Sequence, residues 1–185
     1  MEELFNNVLD QDEKIIKVFK PHKAKLYFSS IINFSLMLLF FFIPTILAIL
    51  IPEDGVRINP IFVLIPIGIY AVIILLVWLF TAIYYKNLYY AYSNKRIIIR
   101  SGIFGVDYRS LDMGMIGAVN VYVSLYDKII HKNTGSISFG STASPMVSAK
   151  GGSSYNFSHI VMPYETCKEI KYYIDEFKNS KIQSK

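Results

Sequence analysis

The side chains that could do chemistry in this chain are few, and their spacing excludes more than it suggests. His22, His131 and His159 lie far apart, and none has a second ligand-type residue at metal-site spacing, so no zinc or iron site is expected. Cys167 is the sole cysteine, which leaves no partner for an intrachain disulfide and no basis for a cysteine-rich zinc site. Gly102 with Gly105, and Gly114 with Gly117, superficially resemble nucleotide loops, but neither pair opens a helix after a parallel strand, as phosphate cradling requires; they read as turns. Asp107, Asp112, Asp127 and Glu165 form no acid–base pair, and no serine sits in a nucleophile elbow, so neither an enzyme nor a cofactor is expected. The remaining candidates are cations: Lys95, Arg96, Arg100, Lys128, Lys132 and Lys150 could meet anionic lipid headgroups or a protein partner. Arg96 and Arg100 fall on one strand face, where they either contact phosphate or keep that face wet, their stems partly covering Ile98. Asp127 reads as the cap of a turn or short helix, with Lys128 on the surface. Residues 140–154 hold Lys150, Gly151 and Gly152, six hydroxyl side chains and no acid, which suits an anion-binding nest or a disordered loop.

The charge is unevenly spread. Residues 1–85 carry six basic and seven acidic side chains, for −1, and residues 86–185 carry thirteen and seven, for +6, which together give the net +5. A basic bias beside a membrane attracts anionic headgroups, at about 1 kcal/mol per cation near the surface. No nucleic-acid-binding motif accompanies it, so nucleic acid is not an expected partner.

The elements that must position these groups begin with two apolar stretches, residues 26–51 and 60–85. At ~1.5 Å per helical residue each reaches roughly 37–39 Å, enough to cross ~30 Å of hydrocarbon with some tilt. A soluble pair of buried helices would need a larger core than 185 residues usually supply. Lys14, Lys17, Lys20, Lys23 and Lys25 precede the first stretch, and Lys86, Lys95, Arg96 and Arg100 follow the second, while residues 52–59 carry only Arg57. The positive-inside rule therefore predicts a multi-pass protein of the plasma membrane with both termini cytoplasmic. Trp78, Tyr84, Tyr85, Tyr89 and Tyr90 gather at the same end, where amphipathic rings prefer the headgroup layer, and His22 is expected there too. The acidic start, with Glu2, Glu3, Asp10, Asp12 and Glu13, argues against a cleaved signal peptide. Within the hairpin, Asn33 is expected to face the second helix and Pro44 to bend the first.

From Leu88 the periodicity changes from helical to alternating. Leu88, Tyr90 and Tyr92, a turn at Ser93 and Asn94, then Ile97 and Ile99 predict a hairpin. Residues 119–124, 136–140 and 155–158 alternate likewise, each strand with one buried face and one that meets water. Pro163 suits the first turn of a helix whose apolar stripe is Cys167, Ile170, Ile174 and Phe177, where a thiol packs rather than attacks. Residues 179–185 read as a frayed polar tail. The pattern predicts an α+β membrane protein: a two-helix transmembrane hairpin, then a strongly bent antiparallel sheet or barrel capped by a C-terminal helix. Its segments are a cytoplasmic residues 1–25, the hairpin at 26–85, a domain at 86–178 and the tail.

The run from Tyr90 to Phe104, with its Ser93-Asn94-Lys95-Arg96 turn and Gly102, resembles the signature of bacterial pleckstrin-homology-like, membrane-flanked domains, the YdbS/YdbT-like group. Val119 to Ile129, including Ser124-Leu125-Tyr126-Asp127-Lys128-Ile129, and Gly135 to Phe139 are similar to its next two strands, so the resemblance covers roughly residues 12–178. It implies a non-catalytic platform for lipid headgroups or a protein partner, with links to cell-envelope stress. An accessory subunit of a membrane transport or antimicrobial-peptide resistance complex is the alternative, and an enzyme acting on lipid a more distant one. Asn33, Ser35, Thr45 and Thr81 are few for a transport pathway and lack an ionisable partner.

Overall fold

The computed structural model describes residues 2–51, 61, 64–130, 133–142 and 155–183. Strand β1 (Ile15–Phe19) is followed by helices α1 (Lys23–Leu50) and α2 (Leu64–Asn87). Next come strands β2 (Tyr89–Ser93), β3 (Arg96–Ser101), β4 (Asp107–Asp112) and β5 (Ile116–Tyr122), and then a short helix α3 (Leu125–Ile130). Strands β6 (Thr134–Ser141) and β7 (Tyr155–Val161) precede the C-terminal helix α4 (Pro163–Gln183). The chain divides into two units, one formed by Met1–Lys25 with Tyr84–Lys185 and the other by Leu26–Ile83.

The second unit is the helix pair. Both helices are long and apolar enough to cross a membrane, with mean hydropathies of 2.2 and 2.5. Their side chains are mostly uncovered: Phe40 is 78 % exposed and Leu75 64 %. A soluble core would hide such residues. Helix α1 runs on through Pro44. Asn33 does not face the second helix but is exposed. The polar contact between the helices is instead a hydrogen bond between the hydroxyls of Ser35 and Tyr70, and two residues along a helix turn a side chain by ~200°. Thr45 and Thr81 donate to the carbonyls of Phe41 and Val77 on their own helices, so neither hydroxyl needs a partner elsewhere.

The first unit holds two antiparallel sheets, in strand orders β1-β2-β3-β4 and β5-β6-β7. Tyr90, Tyr92, Ile97, Ile99 and Leu111 point into the space between the sheets, against Ile137, Phe139, Phe157 and Ile160. The rings of Tyr90 and Phe157 stack at 4.8 Å, and Phe139 meets Phe157 edge-on at 4.9 Å. Helix α4 adds Cys167, Ile170 and Ile174 from its apolar stripe. Burial pushes the Cys167 thiol up, away from the reactive thiolate. Helix α4 continues to Gln183, past the point at which the polar residues 179–185 were expected to fray.

Three departures from the sequence reading concern what covers this sheet. Strand β1 lies in the segment read as a mere lead-in, yet Val18 pairs with Ala91 and Phe19 with Tyr90. Strand β4 has no apolar alternation to announce it, and forms because β3 offers it an edge from Arg96↔Asp112 to Ser101↔Asp107. Strands β2 and β3 are covered over the middle of their outer face as well. Phe5, fully buried, covers Ala91 and Ile98 from the outer side, with Leu4, Leu9, Ile15, Val18, Tyr89 and Tyr108 around it. The N-terminal turn (Glu2–Phe5) thus acts as a lid, and burying a side chain such as Ile98 on both sides contributes ~1.5–3 kcal/mol.

Candidate functional site

The six predicted cations are best followed from the β2–β3 hairpin outward. Ser93 closes β2, and its Oγ accepts from the backbone amides of Lys95 and Arg96 at 3.1 and 3.0 Å, which folds the turn and sets Arg96 beside the N-terminal lid. There Arg96 Nε donates to both oxygens of Glu13 at 3.0 and 3.1 Å, while Nη2 reaches Glu13 Oε2 and the Val8 carbonyl, both at 2.7 Å. Ser93 Oγ adds a 2.5 Å bond to Glu13 Oε1. Burial pushes the Glu13 carboxyl up, but the bonds from Arg96, Ser93 and the Asp10 amide outweigh it, and the group stays below its ordinary range. Arg96 is therefore matched by a carboxylate within its own domain, which sequence reading did not foresee. Lys95 is half-buried at the same turn.

Arg100 lies four residues along β3, ~13 Å away at the rise of a strand. It pairs with Tyr89, the first residue of β2, and so belongs to the opposite end of the hairpin. Its Nη1 donates to the Asn87 carbonyl at 3.2 Å and Nε to the Tyr108 hydroxyl at 3.3 Å, with the guanidinium 5.6 Å from the Tyr89 ring centre. Lys20 approaches the same ring at 4.4 Å and that of Tyr85 at 4.6 Å, and donates to the Tyr89 hydroxyl at 3.0 Å. Lys86 is exposed next to them in the chain. This collar of cations and tyrosines sits where β1 gives way to α1 and α2 to β2. Sequence reading used Lys20 and Lys86 only to orient the spans. Their signal was available, as lysines interleaved with tyrosines, but nothing in it joined residue 20 to residue 89. Tyr90 leaves the expected aromatic belt: it is 2 % exposed in the core, and burial drives its hydroxyl pKa upward.

Lys128 is exposed on α3, beside a cavity of about 350 Å³ lined also by Val123, Asn133, Met162, Pro163 and Tyr164. Its neighbour Asp127 is almost wholly buried and forms an ion pair with Lys25, equally buried. Asp127 accepts from the amide and hydroxyl of Ser124 at 2.7 and 2.6 Å and from Thr134 Oγ1 at 2.7 Å, while its own amide donates to Ser124 Oγ at 3.3 Å. This reciprocal cap starts α3, in line with the capping role expected of Asp127. Two histidines that are distant in sequence meet nearby, with the His22 amide donating to the His159 carbonyl at 2.7 Å. Burial, together with the charges of Lys25 and His22, lowers the His159 pKa to about 4. Among the described residues no cluster of three His, Cys, Asp or Glu side chains is placed to hold a metal ion. Lys132, Lys150 and most of the 140–154 segment lie outside the described residues; Gly140 and Ser141 end β6.

The arrangement is thus a four-plus-three pair of antiparallel sheets with a helix packed on their shared core, and the model of one family, the bacterial PH domain, matches residues 35–178, most of the chain. The chain belongs to the bacterial PH domain family. Comparison with curated proteins and with solved structures found no match. The matched range opens inside α1 and closes near the end of α4, so β1 falls outside it even though it completes the four-stranded sheet of this PH domain. PH domains are in general non-catalytic binding modules, and they commonly bind lipids or proteins. In this one the helix pair stands between β1 and β2, which are adjacent antiparallel strands, and so occupies the place of a hairpin loop.

Proposed function

We propose that this chain is a membrane-anchored, non-catalytic PH module at the cytoplasmic face of the plasma membrane, which recognises anionic lipid headgroups at the end of the domain that carries the helix pair. The observation that carries the reading is the collar of Lys20, Lys86, Arg100, Tyr85 and Tyr89 at both crossings between strand and helix. Only residues 20–22 separate β1 from α1, and only Leu88 separates α2 from β2. With spans on one side of such short links, the collar falls at headgroup depth, where each cation adds about 1 kcal/mol of attraction to an anionic surface. Tyrosine rings suit that layer because one end is apolar and the other wet. Lys128 belongs to the same end, since α3 is tied through Asp127 to Lys25. Lys95 and Arg96 lie at the other end, with Arg96 already matched by Glu13, and are assigned no headgroup contact.

The test keeps both sheets intact by joining residues 1–25 to residues 84–185 through a flexible Gly/Ser linker in place of the helix pair. We expect this soluble form to float with vesicles rich in phosphatidylglycerol and not with neutral ones. Floating should fade as salt shortens the Debye length from ~10 Å at 0.1 M to ~3 Å at 1 M. It should also weaken in the Lys20→Gln/Lys86→Gln variant, while Lys95→Gln leaves it unchanged. Absence from both vesicle types, in a form that unfolds cooperatively, would overturn lipid recognition and leave a protein partner, for which the cavity beside Lys128 is the natural seat.

A further inference from the structure

The β3–β4 turn is chemically unlike the β2–β3 turn at the opposite end of the same strand. The latter is polar, with Asn94 and Lys95 at its apex. The former reads Gly102-Ile103-Phe104-Gly105-Val106, without a charge between Arg100 and Asp107. Its three large side chains are all exposed to solvent, Ile103 at 39 %, Phe104 at 93 % and Val106 at 41 %. Scattered apolar residues on a surface are ordinary, but three within four positions at the apex of a tight turn are not. The turn is also a built feature. Gly102 has φ of +144°, and a Cβ there would come within 2.0 Å of the Gly105 carbonyl oxygen, so only glycine closes the loop in this shape.

The position of this turn decides what could cover it. The Asn87 side-chain amide donates to the Gly102 carbonyl at 3.1 Å, and Arg100 donates to the Asn87 carbonyl at 3.2 Å. Asn87 is the last residue of α2, so the apolar tip is clamped to the point where that helix ends. Around it stand Arg100 and, through Tyr89, Lys20. An apolar point ringed by cations and tyrosines is the pattern of a segment that rests in the boundary between headgroups and acyl chains.

We propose that residues 103–106 form a wedge that enters the leaflet from which α2 emerges, giving the PH domain a third attachment to the bilayer besides its two covalent ones. The proposal rests on the reading of α1 and α2 as spans, and the test separates the two. Trp78, on α2, is the sole tryptophan. The full chain is reconstituted in vesicles whose lipids are brominated high on the acyl chains, first with Trp78 in place and then as Trp78→Phe carrying Phe104→Trp, Ile103→Trp or, at the opposite turn, Asn94→Trp. We expect blue-shifted, bromine-quenched emission from Trp78 and from the probes at 104 and 103, and unquenched emission from the probe at 94. Quenching of Trp78 with none at 103 or 104 would overturn the wedge and leave the spans standing. Equal quenching at 94 and 104 would overturn it as well, since no one end of the sheet would then enter the leaflet. Quenching at none of the four positions would overturn both readings.

Discussion

Of the ion pairs that tie residues 1–25 to the domain that follows α2, two are built differently. Glu13–Arg96 holds the N-terminal lid on the four-stranded sheet, through three charged bonds to a guanidinium whose side chain keeps 17 % of its surface exposed. Lys25–Asp127 joins the first turn of α1 to α3, with both side chains 2 % exposed and the carboxylate further bonded to Ser124 and Thr134. In the first, Arg96 has access to water as a substitute partner once Glu13 is gone, although the Glu13 side chain is itself fully buried. The second has none, because each group was taken out of water on the condition that the other came too. The pairs therefore differ less in what they contribute when whole than in what is left behind when one member is removed.

Removing Lys25 should be the most damaging way to probe that contrast. Lys25→Met strands the Asp127 carboxylate in the interior and is expected to cost about 3–5 kcal/mol, whereas Lys25→Met/Asp127→Asn should recover a large part of the loss. Unfolding of the full chain in detergent, followed by circular dichroism, measures both. If the double variant is no more stable than the single one, the penalty does not come from a stranded charge.

The pH response sharpens the same end of the comparison. His159, facing the charge of Lys25 and the ring of His22, has a folded pKa of about 4 against an ordinary 6.5, so the unfolded chain binds the extra proton first as the pH falls. Its contribution to stability is full above pH 6.5 and is lost progressively down to pH 4, at about 1.4 kcal/mol per unit. The Glu13 and Glu169 carboxyls are held below their ordinary 4.5, so their stabilising effect begins to fade only beneath that value. Between pH 6.5 and 4.5 the slope should therefore flatten in His159→Gln, and an unchanged slope would assign it to another group.

The smallest of the three effects is expected at the lid. Glu13→Gln keeps the shape and removes the carboxylate charge opposite Arg96, whose guanidinium retains the Val8 carbonyl and its access to water; a loss of about 1.5–3 kcal/mol follows from bonds to a charged group. Faster proteolysis confined to residues before β1 would show that the lid, and not the whole domain, loosens. A cost as large as that of Lys25→Met would remove the distinction between the two pairs.

Much of this was legible in the chain. The two apolar stretches are carried by sustained apolarity over more than twenty residues, and the hairpin with its turn at Ser93 and Asn94 and the stripe Cys167, Ile170, Ile174 by a period of 2 or 3.6; neither signal needs knowledge of partners. Asp127 as a cap was legible for the same reason, since Ser124 lies three residues away. Strand β4 was not, because Asp-Tyr-Arg-Ser-Leu-Asp has no apolar alternation, and Asp107, Arg109 and Asp112 remain exposed. The cations were only half legible: their number and sign predict a basic domain, but not which of them already has a carboxylate.

What the sequence determined by itself is therefore the set of local decisions: where helices run, where turns close, which stripe of α4 is apolar. The tertiary structure decided that Ile15–Phe19 is the first strand of the PH domain and not a lead-in to a span, that Arg96 belongs to Glu13, that Tyr90 is core and Tyr89 collar, and that Gly102 is clamped to the end of α2. The physical reason is the same in each case. A hydrogen bond or an apolar face is satisfied by whatever group the fold brings into contact, and that group is distant in sequence, beyond two apolar helices for β1 and for Glu13 with Arg96, and so beyond the reach of any periodicity.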